Sequence, residues 1–303
     1  MKRREFLKHT SAAATLVTLG GLGLQSCTTN KPTKITVLHT NDVHSHIDPF
    51  GPEGRNANTG GVARRASLIE SIRKENPHTL LFDAGDIFQG TPYFNYYGGE
   101  LEFKLMSMLK YDATTIGNHD FDNSVDGLYA QLPHAKFDFI SSNYDFSNTV
   151  MNGHVERYKI YKKENIKIGV FGLGIKLKGL VDPEMYKETK YLDPLDTARE
   201  MTRILKEQEQ CDLIICLSHM GYYYKNNPDY ICDLNLAKNT KNIDLIIGGH
   251  THTFLDKPTV VKNIEAKDVL VNQVGCYGIN LGKIDFYFDT DKNISAKGTS
   301  IIV

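Results

Sequence analysis

The sequence predicts an α/β domain in which buried sheets are covered by helices. Three observations carry that reading. Strand-like and helix-like segments alternate along the chain from residue 35 onward. The strand-like segments are short continuous apolar runs, such as 213–217 and 245–247, which suit strands buried on both faces. Several of these runs end directly in polar, metal-competent side chains. Pattern alone does not separate a doubly wound sheet from a two-sheet sandwich with helices outside.

Taken in order, the β-rich run 35–39 ends at Asn41-Asp42. Thr59-Gly60-Gly61 introduces a helix carrying Val62, Ala66, Ile69 and Ile72 near one face, stopped by Asn76-Pro77. A strand at 79–82 turns at 83–86. Leu101, Leu105, Met108 and Leu109 mark the next helix, and 113–116 is a strand entering Gly117-Asn118-His119. A strand at 166–171 precedes a helix set by Leu195, Ala198, Met201 and Leu205. The runs 213–217 and 245–247 lead into Ser218-His219 and Gly248-Gly249-His250, and 269–274 and 282–288 close the domain. Residues 48–60, 87–99 and 176–192 read as loops.

The first segment stands apart from this pattern. Lys2, Arg3, Arg4 and Lys8 precede an apolar stretch, 12–24, that is short and glycine-rich, as in the core of a signal peptide. Arg3-Arg4-Glu5-Phe6-Leu7-Lys8 resembles a bacterial twin-arginine export signal, with ordinary secretion as the alternative route. Leu24-Gln25-Ser26-Cys27 resembles a lipobox, which implies lipidation of Cys27. The expected organisation is a signal at 1–26, a lipidated tether at 27–34 and a catalytic domain at 35–303. That places the protein outside the cytoplasm, anchored to a bacterial membrane by lipid alone.

Charge is balanced, with 35 basic and 36 acidic residues, and no basic block follows the signal, so a nucleic-acid polymer is not an expected partner. Cys211, Cys216, Cys232 and Cys276 lack close pairing and read as buried free thiols.

The chemistry concentrates at strand ends. Asp42 and His44, Asp86, Asn118 and His119, His219, and His250 and His252 each follow a strand, where ligands gather in α/β folds. Imidazoles, carboxylates and an amide without thiolate suit Zn²⁺, Mn²⁺ or Fe and are too nitrogen-rich for a Ca²⁺ or Mg²⁺ cage. Seven donors exceed one tetrahedral ion and divide over two, with a carboxylate bridging. Two ions activate a water and clamp phosphoryl oxygens, and a non-ligand histidine oriented by a carboxylate would serve the leaving group. Taken alone, any one of these histidines reads as a satisfied polar residue at a strand end.

In order and spacing, Asp42-x-His44, Gly85-Asp86, Gly117-Asn118-His119-Asp120, Ser218-His219 and Gly249-His250-x-His252 resemble the motifs of calcineurin-like metallophosphoesterases. The runs 38–44, 60–65, 83–91, 117–122 and 248–252 are most similar to the 5′-nucleotidase family within that superfamily. The resemblance implies a four-layer α/β/β/α sandwich. It implies that Asp42, His44 and His252 hold one divalent ion and Asn118, His219 and His250 the other, with Asp86 bridging. His119 would then act at the leaving group, oriented by Asp122, on a small phosphate ester of nucleotide type. Family members continue into a C-terminal domain that selects the nucleotide, so the resemblance further implies a separate chain supplying that domain. The alternatives are a broad phosphatase or phosphodiesterase acting on cyclic nucleotides or nucleotide sugars, and a non-catalytic metal-binding lipoprotein subunit.

Residues nearby read more plainly. Asp120 is expected in turn or cap chemistry, His39 in the core hydrogen-bonded to backbone, and His46 in a surface loop. At least one of Arg64 and Arg65 should be solvated. Tyr222, Tyr223 and Tyr224 read equally as a substrate-cleft wall or as a loop aromatic cluster.

Overall fold

A computed structural model describes residues 32–303, so the expected signal, Cys27, Arg3 and Arg4 lie outside the described residues. The first strand begins at Thr33, inside the stretch expected as tether. In chain order the strands are β1 (Thr33–Thr40), β2 (Thr79–Asp83), β3 (Ala113–Thr114), β4 (Asp138–Phe139), β5 (Tyr144–Asp145), β6 (Tyr158–Lys163) and β7 (Ile166–Gly174). They continue as β8 (Lys190–Tyr191), β9 (Leu213–His219), β10 (Leu245–Gly248), β11 (Thr259–Lys262), β12 (Asp268–Asn272), β13 (Asn280–Phe288) and β14 (Ile294–Ile302).

Two six-stranded sheets form, ordered β14-β13-β1-β2-β3-β4 and β11-β12-β10-β9-β7-β6. Within the first, β1 to β4 run parallel. Within the second, β7, β9, β10 and β12 run parallel, flanked by antiparallel edges β6 and β11. Three apolar layers hold them. Ile35, Val37, Leu80 and Phe82 of the first sheet meet Val170, Ile215 and Ile247 of the second in a core between the sheets. Leu38 and Leu81 turn outward under helix Val62–Glu75 and helix Glu100–Met108. Cys216 and Ile246 turn outward under helix Pro194–Arg203 and helix Asp233–Asn239. The result is the α/β/β/α sandwich, and the period-2 alternation along each inner strand is its direct cause.

The predicted runs all form elements, but three readings change. Helix Glu100–Met108 buries Glu102, Phe103 and Met106, whereas Met108 is 75 % exposed. Glu102 accepts a hydrogen bond from the Ser45 hydroxyl, and this distant polar partner sets the helix face. Short helices Pro92–Tyr97 and Pro183–Tyr186 occupy two of the expected loops. Strands β6, β11 and β14 are edges that no continuous apolar run announced. The four cysteines are buried and free, as expected. Among the described residues no helix is long and apolar enough to cross a membrane.

Candidate metal centre

Parallel strands β1, β2 and β3 of one sheet and β9 and β10 of the other point their carboxyl ends to one edge of the sandwich. Asp42 and His44 follow β1, Asp86 follows β2, Asn118 follows β3, His219 closes β9, and His250 and His252 follow β10. The turns are sharp. Asp42, His44, Asp86, His250 and His252 all adopt left-handed backbone, with φ of 50°, 49°, 56°, 69° and 49°. Such residues cost of order 1–3 kcal/mol each and persist where surrounding structure over-determines them.

Neighbouring glycines supply room. A side chain at Gly117 would strike the Asp86 carboxylate, and one at Gly249 would lie 2.8 Å from His219 Nδ1. The turns also clasp one another. Asp42 N donates to Gly85 O at 3.0 Å and His44 N to Asp86 O at 3.1 Å, while His250 N crosses to the Asp42 carboxylate at 3.0 Å.

Two clusters result: Asp42, His44 and His252, and Asp86, His219 and His250. Asp86 Oδ2 lies 3.0 Å from His219 Nε2 and 3.8 Å from His44 Nε2, so it reaches both. Asn118 Oδ1 joins the second cluster at 2.8 Å from His250 Nδ1. All seven expected donors therefore meet at one place.

The convergence of donor atoms suits cations. His219 Nδ1 donates to Ala84 O at 2.7 Å, leaving the buried Nε2 without a hydrogen-bond partner and aimed at Asp86. His44 Nδ1 donates to Phe88 O at 3.2 Å, so its Nε2 faces His252 Nε2 at 3.0 Å. Burial disfavours charge on His219, yet Asp86 and Asp42 pull its pKa up to about 10. Asp42 and Cys276 hold His252 up to about 10. His250, buried and beside His219, falls to about 4. Nitrogen and oxygen donors converge without thiolate, which fits two borderline divalent ions.

His119 stands outside both clusters. Its backbone N donates to Asp86 Oδ1 at 2.7 Å, its ring meets His44 edge-on at 5.2 Å, and Nδ1 donates to Asp122 Oδ2 at 2.8 Å. That bond to Asp122 raises the His119 pKa.

Other residues correct the sequence reading or, as at Arg64, bear it out. Asp120 is not confined to its own turn: its carboxylate accepts from the backbone N–H of Asp86, Ile87 and Gly117 at 3.0, 2.8 and 2.7 Å. His39 is buried, with its pKa lowered to about 3, but its Nε2 accepts from the Asn272 side chain at 2.8 Å rather than bonding to backbone. That contact joins β1 to β12 across the sandwich. His46 lies in the loop after β1, as expected, but is half-buried against Tyr277, its ring 4.2 Å away. Arg64 is solvated and Arg65 is buried, 4 % exposed. Sequence reasoning missed Asn41 and Gln273. Asn41 binds Asp42 Oδ2 and Gly275 O, and Gln273 Nε2 donates to Gly249 O. Asn41 beside Asp42 was the one available signal; Gln273 had none.

An α/β/β/α sandwich whose sheet ends gather two such donor clusters defines a two-metal-ion protein. Over residues 35–254 the chain matches the calcineurin-like phosphoesterases, and it belongs to that family, whose members use two divalent metals. It is 34 % identical to the trifunctional nucleotide phosphoesterase protein YfkN of Bacillus subtilis, over 84 % of this chain and 18 % of that protein. It is 32 % identical to the 5′-nucleotidase of Vibrio vulnificus, over 95 % of this chain and 55 % of the relative. The structure of a 5′-nucleotidase precursor from Thermus thermophilus superimposes with a TM-score of 0.81 at 33 % identity, covering 89 % of this chain and 55 % of that one. The chain thus spans about half the length of these two 5′-nucleotidases.

Proposed function

We propose that this chain hydrolyses phosphate esters of 5′-nucleotide type, with two divalent metal ions. The observation that carries the reading is Asp86, whose carboxylate lies within 3.8 Å of donors from both clusters. Asp42, His44 and His252 are assigned to one ion and Asn118, His219 and His250 to the other, Asp86 bridging. When bound, the pair supplies an activated water and neutralises charge on the phosphoryl oxygens.

The remaining work falls to the chain itself. Asp42, Asp86 and the three backbone-anchored turns fix the donors before substrate arrives, so little reorganisation is needed. His119, held through Nδ1 by Asp122, presents Nε2 to the leaving oxygen and delivers its proton there. Asp122 orients the ring and stabilises its charge. Asp120, by gripping four backbone N–H groups, that of Phe88 included, keeps the turns of Asp86 and Asn118 in register.

We place the protein outside the cytoplasm on the strength of Arg3-Arg4, the apolar stretch that follows, and Cys27 as lipid carrier. Mass spectrometry of the mature protein from its native membrane tests this; an unmodified Cys27 would remove the anchor.

The activity is tested on the full-length chain loaded with Mn²⁺ or Zn²⁺. Phosphate release is measured from nucleoside monophosphates and from an aryl phosphate. Release of phosphate with two ions bound per chain is expected, fastest from nucleotides. Two bound ions and no hydrolysis of any ester would sink the hydrolase reading in favour of a metal-binding subunit. Equal rates on all esters would replace nucleotide preference by broad phosphatase action.

A further inference from the structure

One cleft beside the metal centre is not used by this chemistry. It encloses about 550 Å³, and His250 forms part of its wall. The segments that follow β7 and β9 also line it, contributing Lys176, Lys178, Tyr223 and Lys225. No carboxylate lines it.

What sets these three lysines apart is that they line one concavity without a carboxylate among its walls. Lys74, Lys104, Lys159, Lys167 and Lys187 elsewhere each hold a carboxylate. Among the described residues Lys176, Lys178 and Lys225 hold none, and all three are exposed. Three like charges around one concavity repel one another, and a polyanion in the cleft would relieve that repulsion.

The wall is anchored to the metal-ligand turns. Tyr224 Oη donates to Met220 O at 2.8 Å, next to His219, and Tyr222 N donates to Thr251 Oγ1 at 2.9 Å, between His250 and His252. Tyr224 packs edge-on against Tyr230 at 5.1 Å. The position of Lys225 is therefore tied to the centre at which the scissile phosphate would sit, and Lys176 and Lys178 line the same cleft from the segment after β7. Tyr223, 37 % exposed, adds an aromatic surface to the same wall.

We propose that this cleft holds a second phosphoryl group of the substrate, so that the chain prefers diphosphate esters such as nucleoside diphosphates to monophosphates. The proposal rests on the phosphate-ester reading above. Hydrolysis of a nucleoside diphosphate consumes one water, breaks the terminal phosphorus–bridging oxygen bond, and yields the monophosphate and phosphate. The cleft supplies cations for the phosphoryl group that does not react.

The experiment compares the full-length, Mn²⁺-loaded protein with a variant carrying Lys176→Ala, Lys178→Ala and Lys225→Ala. kcat/KM is measured on ADP, AMP and an aryl phosphate. Loss of charged hydrogen bonds predicts a fall of roughly tenfold or more on ADP. The aryl phosphate should change by less than about twofold, since the variant leaves the metal ligands intact. The corresponding Lys→Arg triple variant should keep the ADP preference. A parallel fall on ADP and the aryl phosphate, or no change on ADP, overturns the proposal. Calorimetric titration with ADP and AMP in the presence of chelator, which stops turnover, separates the two readings. Tighter binding of ADP than AMP, lost in the triple alanine variant, supports the cleft even if no ester is hydrolysed. Equal affinities for ADP and AMP overturn it even if hydrolysis is observed.

Discussion

The two sheets contribute different chemistry to one edge. The first supplies both carboxylates of the centre, Asp42 and Asp86, together with His44, Asn118 and the His119–Asp122 pair. The second supplies imidazoles only: His219, His250 and His252. Its nearest carboxylate, Asp233, is buried behind Ser218 with its pKa pushed up to about 8, so it brings little negative charge. Neither sheet holds a complete cluster, because each cluster takes its carboxylate from the first sheet and imidazole from the second. Negative charge and the proposed bridging and proton-delivery roles thus fall on one half of the molecule and imidazole nitrogens on the other. The assembly of both clusters depends on the apolar core that fixes one half against the other.

That division can be broken most severely at Asp86. Asp86→Asn removes the shared charge of both clusters, and turnover should fall by roughly a thousandfold or more, with fewer than two ions retained per chain. Retention of both ions, measured by elemental analysis, would mean that the sheets do not share a carboxylate. His119→Asn, also on the first sheet, should lower kcat about a hundredfold or more while metal content stays the same. Lost metal would instead make His119 a ligand.

Two neighbouring residues on β10 sharpen the comparison. Ile247 faces the other sheet, and Ile246 faces the helices. Either one changed to Ala should cost about 2–5 kcal/mol in urea unfolding, since both are fully buried. Only Ile247→Ala should also weaken metal binding, because it alone loosens the contact between the sheets. Equal metal affinity in the two variants would separate the centre from the inter-sheet core.

The smallest effect is expected at Asp244, just ahead of β10 and away from the ligand end. Burial pushes its pKa up to about 6, above the ordinary carboxylate value, while it accepts the Ile214 N–H at 2.8 Å. A raised folded-state pKa means stability present below pH ~4 that is lost as pH rises through about 6. Asp244→Asn should remove that loss, so the variant gains on the parent by on the order of 2 kcal/mol between pH 4 and 7. Metal content should not move. An unchanged pH profile of stability would show that Asp244 does not carry this cost.

How much of this was legible varied with burial. Central strands such as β9 and β10 announced themselves, because strands covered on both faces must be apolar throughout. Edge strands β6, β11 and β14 did not, because half of each is solvated and lysines interrupt the run. The helix carrying Phe103 was found but turned, since its buried Glu102 depends on Ser45, 57 positions earlier. Asp120 was underestimated for the same reason: its partners at Asp86 and Ile87 lie more than thirty residues away.

By itself the sequence determined which side chains bring chemistry: seven mixed donors at strand ends, and a histidine with a carboxylate three residues on. Residue type and local pattern suffice for that, since strand ends and motif spacing are local properties. Local pattern could not say which donors share a cluster or that Asp86 reaches both; the family resemblance implied it and the tertiary structure shows it, and only the tertiary structure decided that Lys176, Lys178 and Lys225 line one cleft beside His250. Those facts depend on left-handed turns and on the packing of two sheets, and both are set by contacts between residues far apart in the chain.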